Sequence, residues 1–413
     1  MKIVVCNIGS SSLKFQLLDM ESESELARGY TERVGSSEGT ITYWVKGKEV
    51  FRWMQRVPSH REAVANALEF LLDPRYQLLT RLDEISGIGF KTVQAGEKNG
   101  SVLLADEVLD AMEEYRDLAP AHNPAYLESI AMFRELLPQT PLVGVFEPGF
   151  HTGLPDYARV YGTPYEWIEK YGVRRYGYHG ASHRYIAGET ARLLQLPADS
   201  HRIISCHLGG SSSLCAIRNG TSIDTSMGFT PQSGLIQGSR VGDMDPFVLP
   251  YIMKRKKITL EEALAECSKK GGLAGLSGVS ADMRDILKAI DRGDQRALLA
   301  RNKFIYDIKR YIGEYLVMLE GVDAISFTGG IGEHDAALRA EVLLSLRFLG
   351  VALDEERNAA NETVITRKDS PVRALVIQTN EEIVVARETV KVIGATAAGK
   401  SLPAVSTSPL RYR

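Results

Sequence analysis

Cysteine is scarce in this chain: Cys6, Cys206, Cys215 and Cys267 are the four in 413 residues, and no two stand in a C-x-x-C spacing. That excludes a disulfide-stapled scaffold and a zinc ribbon, and it predicts buried, reduced thiols that act as small hydrophobes. Long apolar runs are also missing, so no membrane-spanning segment is expected. Met1-Lys2 leads straight into a short strand-like stretch, which predicts no secretory leader and a cytoplasmic protein. Excess positive charge is absent too, with 49 Lys and Arg against 52 Asp and Glu and a formal net charge of -3. Nucleic acid and anionic membrane surfaces are therefore not expected partners, and the one basic run, Lys254-Arg255-Lys256-Lys257, reads as a solvated helix end. At this length one hydrophobic core gives way to two, so two lobes are expected.

What the chain does have is one phrase written nearly twice: Cys6-Asn7-Ile8-Gly9-Ser10-Ser11-Ser12-Leu13 and Cys206-His207-Leu208-Gly209-Gly210-Ser211-Ser212-Ser213-Leu214. Each time an apolar run enters a Gly/Ser tract and a second apolar run leaves it, the pattern of a β-hairpin with a polar tip. Such turns are common in any protein. Glycine nevertheless allows close backbone approach, and serines add donors without bulk, so a tip of this kind can cradle phosphate oxygens. Two copies point to two lobes serving one phosphate chain.

Periodicity predicts strands near 2–6, 13–18, 40–45, 87–93 and 141–146 with helices near 62–72, 106–115 and 126–136. After a Gly/Pro-rich junction over 147–175, a helix over 182–194 and a strand over 202–206 restart the pattern. Helices near 260–270, 282–290 and 295–320 follow, then strands 324–328 and 374–377 and a closing helix whose apolar residues Ile383, Ala386, Val390 and Ile393 share a face. The expected domains are 1–150 completed by a helix at about 383–399, a nucleotide-binding lobe over 151–382, and a flexible tail over 400–413.

The fold class is thus α/β: a duplicated βββαβα unit, the two-lobed plan of the actin, Hsp70 and sugar kinase group, with the active site expected in the cleft. The chain resembles the acetate and butyrate kinase family nearly end to end. The resemblance rests on Asn7 to Lys14, Leu118-Ala119-Pro120, His122-Asn123-Pro124, Arg174 to Gly180, Asp224 to Pro231, Phe327 to Glu333 and Thr379-Asn380-Glu381-Glu382. It implies transfer of a phosphoryl group from ATP to acetate or another short carboxylate, a Mg²⁺ or Mn²⁺ cofactor and a homodimer. Asn7 and Glu381 would hold the metal; Glu381 also suits a helix N-terminus for purely structural reasons. Ser10, Ser12 and Lys14 would face phosphates, while His207, Leu208, Gly209, Gly210, Ser211, Asp282, Met283, Arg284 and Gly330-Ile331-Gly332-Glu333-His334 would bind the nucleotide. Glu147, His179 and Arg240 would be catalytic, the guanidinium taking two oxygens of the moving group. The structural alternatives are a histidine packed beside Tyr176 and Tyr178, and an arginine paired with Asp243 or Asp245.

Several positions depart from the family. Where it carries His-Arg-x-Val-His-Gly-Gly, this chain has Phe90-Lys91-Thr92-Val93-Gln94-Ala95-Gly96, so the substrate-binding arginine becomes Lys91 and loses its bidentate fork. The active-site aspartate becomes Glu147, in Glu147-Pro148-Gly149, and an asparagine becomes Gly210. In the acyl pocket Val93 and Pro231 are as expected, Ala121 replaces leucine and Tyr178 replaces phenylalanine. A larger pocket with a polar handle predicts a larger or hydroxylated acid, such as propionate, butyrate or a hydroxy acid, as the rival to acetate. Two further readings are a weakened nucleotide-binding homologue acting as sensor or partner, and, by fold analogy alone, a kinase for an alcohol or sugar.

Overall fold

The computed structural model describes residues 1–119 and 122–399. Contacts divide the chain into two units, one made of Met1–Thr152 with the chain from Asn380 onward, the other of Gly153–Thr379.

In the first unit β1 (Lys2–Gly9) and β2 (Ser12–Asp19) form the first Gly/Ser hairpin, Gly9 facing Ser12 across an antiparallel register. β3 (Ser24–Glu32), β4 (Gly39–Val45) and β5 (Lys48–Gln55) extend it on one side. On the other side lie β6 (Ile85–Thr92), parallel to β1, and β8 (Leu142–Phe146), parallel to β6, with β7 (Ser101–Leu103) antiparallel to β8 at the edge. The strand order is β5-β4-β3-β2-β1-β6-β8-β7. In the second unit β9 (Arg202–Leu208), β10 (Ser212–Arg218), β11 (Thr221–Thr225), β12 (Ala324–Thr328) and β13 (Arg373–Val376) run in the order β11-β10-β9-β12-β13. The run β3-β2-β1-β6-β8 has the same directions, so the repeat read from the two Gly/Ser phrases extends to five strands in each sheet.

Alternation along β1 sorts its side chains between two cores. Val4, Cys6 and Ile8 join one built with helices His60–Leu72 and Asn123–Leu136, while Ile3 and Val5 join another with Val385, Ala386 and Val392 of helix Glu381–Ala397. That last helix lies directly on β6, because the strand offers glycine at the contact. A Cβ at Gly87 would fall 2.3 Å from Ile393 Cδ1, and one at Gly89 2.3 Å from Thr389 Oγ1. Gly89→Ala should therefore overpack this seam and cost about 1–3 kcal/mol, read as a lower urea midpoint with an unchanged m-value. In the second unit helices Met283–Asp291 and Gln295–Leu319 cover the sheet through Ile286, Phe304, Ile308 and Ile312.

Strands β3, β5 and β7 are not legible as expected strands. β5 is an exposed edge whose pairing is carried by backbone, and β7 has only three residues. The basic run ends the exposed helix Val248–Lys256, as expected. All four cysteines are free, three of them buried, and burial pushes the Cys6, Cys206 and Cys215 thiols well up, which leaves them inert. Among the described residues no helix is long and apolar enough to cross a membrane.

Candidate active site

Parallel strands present their carboxyl ends to ligands in open α/β sheets. In the first unit Asn7 lies near that end of β1, Lys91 near that end of β6, and Glu147 directly follows β8 in a short turn, Glu147–Phe150. Glu381 opens the helix Glu381–Ala397, with Asn380 as its cap accepting from the Ile383 N–H. Four residues far apart in sequence thus gather at one end of this unit's sheet. The Lys91 ammonium donates to Glu381 Oε2 and lies 3.1 Å from Glu147 Oε1. The three side chains are 20%, 14% and 10% exposed for Lys91, Glu381 and Glu147. Burial alone would lower the lysine pKa, but Glu147 and Glu381 outweigh it and hold the ammonium well above the ordinary lysine range.

Tyr126 braces the strand ends beneath this group. Its hydroxyl accepts from the Ile8 N–H at 3.1 Å and donates to the Lys91 carbonyl oxygen, with Asn7 Oδ1 3.5 Å away. The replaced loop after β6 is braced in turn: Gln94 Oε1 accepts from the Gly96 N–H and from Asn99 Nδ2, and Asn123 Nδ2 donates to the Gln94 carbonyl. Ser10 is exposed at the hairpin tip beside half-buried Ser12, and His60 Nε2 is 2.9 Å from the Gly9 carbonyl oxygen. Lys14, opposite Asn7 across the hairpin, lies over the Tyr30 ring and lines a cavity of about 210 Å³ with Asn7, Arg28 and Trp44. Val93 packs half-buried against the core. Ala121 and the tail 400–413 lie outside the described residues.

The second unit holds a different assembly. His179 caps the helix Gly180–Leu194 in a left-handed conformation with φ of 56°, a strained backbone for a side-chain-bearing residue. Its ring stacks on His207 with centroids 4.2 Å apart, and Nδ1 is 2.8 Å from Ser213 Oγ. The same hydroxyl meets buried His183 Nε2 at 2.8 Å, and Ser182 Oγ meets His207 Nδ1 at 2.8 Å. The spacing of His183 from His179, one helical turn, is the signal that could have found it.

Arg240 is half-buried and, among the described residues, bonds neutral oxygens: Ser211 Oγ at 3.0 Å, Gln237 Oε1 at 3.0 Å and the Pro231 carbonyl at 3.3 Å. Among the described residues no carboxylate pairs with it, and burial pulls its guanidinium pKa down. The structural alternative is overturned, because Asp243 is taken by Arg310 at 2.8 Å and Tyr311 at 2.5 Å, and Asp245 accepts from the Phe247 N–H. The Ser211 hydroxyl also donates to Gln237 Oε1 at 2.9 Å, so it positions Arg240. Ser211→Ala should lower kcat about fivefold, the worth of one hydrogen bond, with KM for ATP unchanged.

A cavity of about 590 Å³ in this unit is lined by Gly209, Gly210, Asp282, Met283, Arg284, Gly330, Ile331 and His334 among others. Its volume suits a nucleoside. Asp282 caps the helix Met283–Asp291 and is bound by Arg284, which holds its carboxyl down at about 2. Leu208 and Gly332 lie buried behind the cavity, with Gly329 pressed on the Leu208 backbone. The Glu333 carboxylate accepts from the Gly329 N–H at 2.9 Å and holds the turn of the short helix Gly329–His334. The Tyr178 hydroxyl donates to the Phe229 carbonyl at 2.9 Å. Asp335, missed in the sequence, lines the cavity, and its buried Oδ2 has no protein hydrogen-bond partner.

Comparison with known proteins places these arrangements. The model of the acetokinase family matches residues 2–387. An acetate kinase of Thermoanaerobacter pseudethanolicus is 44% identical over 397 residues, covering 95% of this chain and 99% of the relative. The crystal structure of Porphyromonas gingivalis acetate kinase superposes with a TM-score of 0.88 at 38% identity, covering 95% of this chain and 99% of that one. A propionate kinase from Francisella tularensis gives 0.86 at 33%, covering 94% and 99%. The two-lobed actin and sugar kinase-like fold is therefore this chain's fold, and the chain belongs to the acetokinase family.

Proposed function

We propose that the protein transfers the γ-phosphoryl group of ATP to a short carboxylate, ATP + carboxylate ⇌ ADP + acyl phosphate. The observation that carries this reading is Arg240, a half-buried guanidinium with no acid partner among the described residues, which calls for an anionic visitor. In phosphoryl transfer the protein mainly positions and neutralises. A carboxylate oxygen attacks the γ-phosphorus while the bond to the β,γ-bridging oxygen breaks, and ADP leaves with the electron pair. Arg240 and His179 are proposed to meet the charge on the moving group, and the second unit's cavity to hold the nucleoside, with Asp335 Oδ2 as an acceptor for one of its hydroxyl or amino hydrogens. Lys91, with Val93 in the first unit, is proposed to take the substrate carboxylate, and Pro231 is proposed separately as an acyl-pocket residue of the second unit.

Asn7 and Glu381, with Glu147 beside them, offer hard oxygens in the small number that suits Mg²⁺ or Mn²⁺, ions that keep waters and phosphates as further ligands. Such an ion would supply positive charge to phosphate oxygens. A homodimer is inferred from exposed apolar side chains of the second unit, among them Phe247, Tyr251, Tyr306 and Val317.

Substrate choice follows from Tyr178. Its donor serves Phe229, so it offers a hydroxy acid no free hydrogen-bond donor. A hydroxamate assay with Mg-ATP across formate, acetate, propionate, butyrate, lactate and glycolate tests this. Acetate and propionate are expected to turn over at least about tenfold faster than lactate and glycolate. No hydroxamate with any acid would overturn the reading.

A further inference from the structure

We propose that Lys91 is a built-in counter-ion for Glu147 and Glu381 that gives way to a divalent cation, so that cation binding is what frees Lys91 for the carboxylate substrate. The inference rests on the carboxylate kinase reading and adds an order to it: cation first, acid second.

The starting point is that Lys91 is already engaged. Its ammonium contacts both carboxylates, and all three side chains are largely shielded from water. Two acids facing each other in such a place need compensating charge, or one must take up a proton. Lysine can supply it reversibly, being a compact point charge on a flexible four-carbon stem with three donors, whereas a guanidinium fork holds a carboxylate in fixed bidentate geometry. The backbone beneath is meanwhile held still, since Tyr126 fixes the Lys91 carbonyl to the end of β1. Only the stem has to move.

Charge then sets the order. As the structure stands the trio carries one net negative charge, which repels an incoming carboxylate. When a divalent ion takes over the two acids, Lys91 is displaced and the group carries one net positive charge, which attracts one. The lysine thus competes with the cation and cooperates with the acid, and binding linkage requires each ligand to feel the other by the same factor.

The test uses the full-length, nucleotide-free protein and Mn²⁺ alone, with free Mn²⁺ read by electron paramagnetic resonance. Lys91→Met should bind Mn²⁺ about tenfold more tightly than wild type, the size of one removed competing charge in a shielded site. Equal affinity would overturn the proposal. Because Lys91→Met leaves two acids facing each other and can fail to fold, wild-type protein is also labelled with acetic anhydride and the Lys91 peptide quantified by mass spectrometry. Labelling should rise several-fold when Mn²⁺ is added, and unchanged labelling would overturn the proposal. Mn²⁺-dependent release without acyl phosphate formation on any acid would remove the kinase reading and leave the counter-ion standing; turnover without release would do the reverse.

Discussion

Replacing Arg240 by alanine should lower kcat for acyl phosphate formation by about 10³-fold or more, the range over which an arginine stabilises a phosphoryl-transfer transition state. KM for ATP should change little, because Arg240 does not line the nucleoside cavity. The guanidinium is held by Ser211, Gln237 and the Pro231 carbonyl, and each of these is neutral. They orient the group without consuming its charge. Arg240→Lys keeps the charge, loses the fork, and should recover only a small part of the rate. A loss confined to KM would mean that Arg240 binds ground-state phosphate and plays no special part in the transition state.

The second large effect is on stability. Lys91→Met should cost about 3 kcal/mol or more, since removing one partner of a buried charge group leaves the others uncompensated. The double variant Lys91→Met/Glu147→Gln should regain a substantial part of that loss, which a urea titration of the three proteins would show. If the single variant is as stable as wild type, the ammonium is not compensating the pair. The pH dependence has a definite sign. The folded-state pKa of Lys91 is raised, first against burial and then by Glu147 and Glu381. Its contribution is therefore fully present below the ordinary lysine value of about 10.4 and is lost only as pH climbs from there through the raised value. Between neutrality and that point this group should leave stability flat.

Much of the site was legible because it is written locally. The two Gly/Ser phrases became the β1–β2 and β9–β10 hairpins, Gly329 to Gly332 became a turn into a short helix, and Asn380-Glu381 became a cap and first helical residue. The unread parts are long-range. Lys91 and Glu381 stand 290 positions apart, so a substitution that looked like weakened carboxylate orientation turned out to be one corner of a charge trio. Tyr126 and Gln237 gave no sequence signal, because their importance lies in which backbone groups and hydroxyls the fold brings to them. The hydrogen bonds of Tyr178 to Phe229 and of Glu333 to Gly329 were equally unreadable, because they depend on how each loop folds back on itself. β5 escaped because an exposed edge strand needs no buried face, and so leaves no alternation to read.

The central claim, transfer between ATP and a carboxylate, is tested most directly in reverse by phosphorus NMR of the protein with ADP, Mg²⁺ and either acetyl phosphate or propionyl phosphate. The account predicts that the acyl phosphate resonance falls as the γ-phosphate resonance of ATP rises one for one, and that Arg240→Ala is silent. Release of the acyl phosphate as inorganic phosphate, or no change with either compound, would contradict it.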